Sequence, residues 1–151
     1  LRNDPGGFLE VAVNIAGWFF EPGTLVTSEE FRSGEKNEFK TSGNGILKNV
    51  PVVVLVNGGS ASASEILAGA LRDQRNVKLI GEKTFGKGTV QEVNYFVDGS
   101  SLKITVAKWL TPLLHSIQKE GITPDIVVPS DSNGGDAQLQ RAIEELDRMI
   151  R

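Results

Sequence analysis

Between Pro51 and Gln91 the chain sets out a continuous apolar run, a turn built only of glycine, alanine and serine from Gly58 to Ser64, a short helical stretch, a second apolar run and the loop Phe85-Gly86-Lys87-Gly88. Val52 to Val56 is β-branched apart from Leu55, the pattern of a strand covered on both faces, as in a parallel sheet with helices on either side. Glu65 to Leu71 reads as helix and Val77 to Ile80 as the next strand, a compact crossover unit. The fold class is therefore α/β. Open sheets of this kind gather ligands at the carboxyl ends of their strands. Ser60, Ser62 and Ser64 fall there, and Lys87 follows the neighbouring strand, so a serine nucleophile and a lysine base can face one another across a single crevice.

The remaining elements follow from periodicity and turn chemistry. Phe8, Val11, Ala12, Ile15, Ala16 and Phe19 recur at helical spacing behind the Pro5-Gly6-Gly7 turn and predict a core-facing helix. Glu21-Pro22-Gly23 stops it. Thr24 to Thr27 can form a short strand, and the polar stretch from Ser28 to Asn49 reads as loop. Thr89 to Val97 and Leu102 to Trp109 favour strand on either side of Asp98-Gly99, so a β-hairpin is expected as an addition to the sheet. A short strand is expected from Ile126 to Val128. Residues 130–135 read as a linker to a C-terminal helix over 136–150, capped by Asp136, with Leu139, Ala142, Ile143, Leu146 and Ile150 as its docking stripe.

Composition bounds the partners. A chain of 151 residues with 39% hydrophobic and 23% charged residues has the make-up of one globular domain. Its net charge of -3, with lysines and arginines scattered, offers no field for a phosphate backbone, so no nucleic-acid partner is expected. No apolar run reaches the roughly 18 residues of a membrane span. The chain has no cysteine, which removes thiol catalysis and disulfides and fits either redox compartment. Its opening residues, Leu1 to Gly7, read as a strand end followed by a tight loop, the mark of a fragment of a larger domain.

Serine needs a neighbouring base to become a nucleophile. The single histidine, His115, lies between Leu114 and Ser116 with no patterned acidic partner and reads as a surface or packed residue. Lysine is left. A lysine base must be neutral, so its pKa has to fall from about 10.4 toward 7 to 8, about 4 kcal/mol that desolvation must supply. Lys87, between two glycines and beside Phe85, has the setting that Lys78 and Lys83 lack. Two plainer readings stand beside this one. Ser62 and Glu65 have capping-box spacing, which satisfies a helix start without catalysis; Lys87 could be an ordinary solvated loop lysine. Spacing does not rank the three serines.

Gly81 to Lys87 also matches the spacing of a phosphate-binding loop, but Gly88 occupies the place of its magnesium-binding hydroxyl. The segment that follows alternates as a strand, so no helix N-terminus would sit beneath the phosphates. Nucleotide binding is disfavoured.

Taken together, the motifs resemble the carboxy-terminal processing peptidases, the tail-specific proteases of the Ser-Lys type. The resemblance runs through Leu1 to Gly7, Val56 to Ile66, Gly81 to Gln91, Asp98 to Thr105 and Gly121 to Ile126. It implies a crotonase/ClpP-like α/β serine peptidase core with an added hairpin and C-terminal helix, in which Ser62 is the nucleophile, Lys87 its general base and Gln91 the residue that orients the lysine. Four extended residues would separate Gln91 from Lys87 by roughly 13 Å, so the backbone between them must bend. The oxyanion hole would combine the Ala63 N–H with one from Gly6 or Gly7. Asp73 matches an acidic residue sometimes grouped with the pair, yet eleven helical residues from Ser62 span about 16 Å, which favours a capping or packing role. Asn3 and Glu82 are family-typical loop-shaping residues.

The resemblance further implies protein or peptide substrates cut near their C-terminal tails, no metal or organic cofactor, and a site of action outside the cytoplasm, in a bacterial envelope or chloroplast lumen. It covers one partial peptidase domain, residues 1–151, without the PDZ domain, so the segment alone could equally be a non-catalytic binding or assembly piece. Family members usually continue Thr-Pro with Ser-Gly-Arg-Ser-Ile-Gln. Here Leu113, Leu114 and His115 replace Ser-Gly-Arg, losing the glycine.

Overall fold

The computed structural model describes residues 1–131 and 135–151. Its elements in chain order are α1 (Leu9–Phe19), β1 (Leu25–Phe31), β2 (Lys36–Lys40), β3 (Val53–Val56), α2 (Ala63–Arg75), β4 (Lys78–Gly81), β5 (Thr89–Tyr95), β6 (Ser101–Leu110), β7 (Ile126–Val127) and α3 (Ala137–Ile150). The parallel crossover unit is present: β3 pairs with β4 in parallel register, Val53 to Lys78 through Val56 to Gly81, and β7 extends the sheet along β4. Val54 and Val56 are buried, while α3 covers the other face near Val53 and Leu55. α2 ends on Asn76 in the left-handed conformation, the usual stop for a helix whose last carbonyls need a donor.

One expectation is corrected and another refined. The β5–β6 hairpin does not join the parallel sheet. It belongs to a separate antiparallel sheet of order β2-β1-β6-β5. Ser28 to Asn49 is loop over most of its length but also carries unexpected strand, because β1 runs on to Phe31 and β2 returns through a turn with Gly34 at φ 86°. The charges that suggest a loop lie on the exposed surface of these strands, where Glu30 sits within ion-pair distance of both Lys36 and Lys108.

The core lies between α1, α2 and the inner faces of the two sheets, with Ala16, Val26, Val56, Ala68 and Leu79 fully enclosed. α1 contributes a narrower stripe than its sequence suggests: Ala12, Ala16 and Gly17 are buried, whereas Phe8 precedes the helix and is 78% exposed. α3 docks through Gln138 and Ala142, leaving Leu139 and Ile143 about half exposed. Of the expected linker 130–135, residues 132–134 lie outside the described residues. Ser130 is tied by its hydroxyl to Glu82 Oε2 at 2.6 Å, so Glu82 does shape this crossing. No described helix is long and apolar enough to cross a membrane.

The opening loop is fastened to the body at several points, among them the Ala61 N–H on Asp4 O at 3.0 Å. Arg2 donates from both terminal nitrogens to Asp136, at 2.7 Å each. Asn3 and Asn57 exchange hydrogen bonds at 2.9 Å, backbone N–H to Oδ1 in one direction and Nδ2 to Oδ1 in the other. The Arg2 guanidinium, helped by the Leu139 N–H, holds the Asp136 carboxyl down to about 2. A carboxyl lowered by folding adds stability above its ordinary value near 3.8, and that contribution disappears as pH falls toward 2. Acid unfolding followed from pH 5 to 1.5 should therefore show a loss over this window that Asp136→Asn removes.

Candidate active site

The turn between β3 and α2 is tight. Asn57 and Ser60 fold it: the Ser60 hydroxyl donates to Leu1 O at 2.7 Å and accepts the Asn57 N–H at 3.0 Å. Both of the outer serines face inward, Ser60 fully buried with its hydroxyl engaged and Ser64 3% exposed with no partner for its hydroxyl. Ser62 differs. It is partly exposed, caps α2, and has φ 57° and ψ -119°, a conformation that costs a non-glycine residue of order 1–3 kcal/mol. A strained serine at a strand-to-helix turn presents its hydroxyl at the helix start, where free N–H groups gather.

Glu65 explains how the strain is held. It is fully buried, and its carboxylate accepts four donors. Oε2 takes the Ser62 N–H at 3.0 Å and the Lys87 N–H at 2.9 Å. Oε1 takes the Gly86 N–H at 2.8 Å and the Thr84 hydroxyl. One oxygen thus receives the backbone of both candidate residues, and their nitrogens stand no more than about 6 Å apart. The capping-box pair is present. Its glutamate also reaches out to the neighbouring loop, which local spacing could not reveal; the only hint in the sequence is a carboxylate set among Ala63, Ile66 and Leu67.

The opening loop completes the arrangement. A Cβ added to Gly6 would lie 2.5 Å from Ala61 O, 2.7 Å from Ala63 N and 2.9 Å from Ser62 Cβ, so the loop is packed directly on the serine turn. The Gly6 N–H is taken by Asp4 Oδ1 at 3.0 Å. The Gly7 and Ala63 N–H groups donate to nothing within the described residues. Beside them lies an apolar cavity of about 240 Å³, walled by Val11, Ala12 and Ile15 of α1, Leu67 of α2 and the two glycines.

The other candidates are placed less favourably. Lys87 is exposed, so the desolvation a lysine base needs is not provided by this segment. Gln91 lies exposed on β5, at an irregularity where Val90 pairs with Ala107 but Gln91 pairs with Thr105, and no hydrogen bond joins it to Lys87. Asp73 sits at the far end of α2, its side chain 2% exposed, accepting the Leu113 N–H at 3.1 Å and Arg72 Nε–H at 3.3 Å. His115 is exposed. The run from Gly81 to Lys87 enters β5 and no helix, as nucleotide binding would have required.

Residues 1–128 match the sequence pattern of peptidase family S41. The chain belongs to that family. It is 44% identical over 153 aligned positions to a carboxyl-terminal-processing protease of Picosynechococcus sp., covering 97% of this chain and 36% of the relative. It is 46% identical over 126 positions to the carboxy-terminal processing protease CtpA of Bacillus subtilis, covering 83% and 27% respectively. Among solved structures, a photosystem II D1 C-terminal processing protease superposes with a TM-score of 0.79 at 41% identity, over 85% of this chain and 33% of that one. The chain therefore spans about a quarter to a third of the length of these curated relatives.

Two outcomes test this geometry. Glu65→Ala leaves three backbone donors and a hydroxyl facing a void and should lower unfolding stability by about 3 to 5 kcal/mol in denaturant titration. Leu114, at the place of the family glycine, has φ 65°, which a leucine side chain disfavours. Leu114→Gly should raise stability by about 1 kcal/mol in the same measurement.

Proposed function

We propose that this segment carries the catalytic centre of a Ser-Lys serine endopeptidase that cuts proteins near their C-terminal tails. The observation that carries the reading is the shared Glu65 carboxylate, which draws a strained serine and a glycine-flanked lysine into one small cluster. In this mechanism the Ser62 hydroxyl attacks the scissile carbonyl and passes its proton to the neutral Lys87 amine. The oxyanion forms at the start of α2, where the Ala63 and Gly7 N–H groups are free to stabilise it. Gly7 is preferred over Gly6 because Asp4 already holds the Gly6 N–H. Lys87 then returns the proton to the leaving amine, an acyl-enzyme remains on Ser62, and water releases it by the reverse sequence.

The apolar cavity beside Gly6, Gly7 and Ala63 receives the side chain that precedes the cleaved bond, which favours apolar residues there. Gln91 acts by orienting the Lys87 amine once the cleft is covered, through an approach not made in this segment. Asp73 serves the architecture at the other end of α2. The finer fold reading is a crotonase/ClpP-like core, supported by the parallel β3-β4-β7 sheet with its serine turn at the strand ends. The domain reading is a single partial peptidase domain, and the parent protease acts on protein tails outside the cytoplasm, with no cofactor in its chemistry.

Because Lys87 is exposed, the isolated segment should be catalytically silent, which keeps in view the second reading of a non-catalytic piece when separated from its protease. In the intact protease, with a peptide carrying an apolar C-terminal tail, Ser62→Ala and Lys87→Ala should each lower kcat by at least about a thousandfold. Substantial cleavage surviving in either variant rejects the assignment.

A further inference from the structure

The loop that carries Lys87 is gripped by three elements, one of them β6, where the Trp109 N–H donates to Gly88 O at 2.8 Å. Glu65 holds it from α2. From the other side lies the connection between Thr111 and Ile122, a strap that leaves β6 and crosses beneath the lysine. Gln118 Oε1 accepts the Gly88 N–H at 3.0 Å, and the Lys119 N–H donates to Gly86 O at 2.9 Å. A Cβ on Gly88 would stand 2.4 Å from the Gln118 nitrogen, and one on Gly86 would stand 2.9 Å from the Gly121 nitrogen. The two glycines beside Lys87 are therefore there because the strap backbone lies against them.

The strap itself is pinned at both ends. Its start is held where Asp73 accepts the Leu113 N–H at 3.1 Å, and its end where Thr84 Oγ1 accepts the Ile122 N–H at 2.6 Å. Thr84 in turn donates to Glu65. The strap is thus continuous with the cluster that holds Ser62.

We propose that Gln118 is a positioning residue for Lys87: by fixing the Gly88 peptide it sets the direction in which the lysine leaves its loop, and Asp73 reaches the base only through this strap. The proposal rests on Lys87 being the base. Two glycines would otherwise let that loop sample many directions, and a misdirected base reduces turnover more than binding. The charged groups brought to the loop by the elements packed on it are Glu65 from α2, Lys119 and Glu120 from the strap, and Lys108 from β6, which pairs opposite Thr89.

The test uses the intact protease and an apolar-tailed peptide, with kcat, KM and the pH profile of kcat/KM measured alongside melting temperature. Gln118→Ala should lower kcat about tenfold or more with KM changed less than about threefold. Gln118→Glu keeps an acceptor for the Gly88 N–H and should recover most of kcat. It also sets a negative charge beside Lys87, which favours the ammonium form, so the rising limb of kcat/KM should move to higher pH by about half a unit or more. Asp73→Ala should lower kcat in the same sense, and the Asp73→Ala/Gln118→Ala double variant should be no worse than the poorer single one.

An unchanged kcat in Gln118→Ala overturns the proposal. So does a loss that merely follows melting temperature while the limb stays where it was in Gln118→Glu. If Gln118→Ala does not fold, the Gln118→Glu limb decides alone, and an unmoved limb rejects the idea. Activity that survives Lys87→Ala removes the base assignment itself, a failure distinguishable from the others because it does not involve Gln118.

Discussion

A single buried carboxylate organises the loops at the carboxyl ends of β3 and β4. Glu65 sits fully enclosed on the first turn of α2 and accepts donors from two loops that come from different strands. An ionised carboxylate offers about four acceptor positions, and all are used. Such a group inside a protein is costly unless each position is filled. The two loops therefore cannot drift apart independently, because separation would strand both the carboxylate and the N–H groups it serves. The unusual dihedrals of Ser62 persist for the same reason: its N–H is committed to Glu65 while the helix begins immediately after it.

Much of this was legible in residue pattern. The apolar β3, the serine turn, α2 and β4 follow from a run of β-branched residues, a small-residue turn and helical spacing, and they stand where those patterns put them. Family resemblance singled out Ser62, which spacing could not rank against Ser60 and Ser64; in the structure the outer two side chains are buried and Ser62 is partly exposed. What pattern could not carry was partnership across distance. Glu65 looks like a local cap from Ser62 alone, and its bonds to Gly86 and Lys87 lie more than twenty residues away. The sheet membership of the β5–β6 hairpin was misjudged for a related reason, since the charged β1 and β2 that receive it look like solvent-facing loop until they pair.

The glycines show why spacing alone can mislead. Gly81, Gly86 and Lys87 imitate a phosphate-binding loop, yet each glycine answers to a crowded neighbour. Gly81 lies against Val56 O, where a Cβ would stand at 2.1 Å, and Gly86 lies against Gly121. Their absence of side chain makes room for protein backbone. Leu114 is the contrary case: a glycine-like conformation is retained at a residue that does not suit it, with the exposed turn around it tolerating the difference.

Arg2 and Asp136 stand 134 positions apart and yet form a bidentate clasp between the loop bearing Gly6 and Gly7 and the first turn of α3. The loop is therefore anchored twice over, to the serine turn through Ser60 and Asn57 and to the start of α3 through Arg2. Detaching α3 would free the outer end of this loop while its bonds to the serine turn stayed in place, so Gly6 and Gly7 would keep their seat against Ser62 with less to steady them from outside.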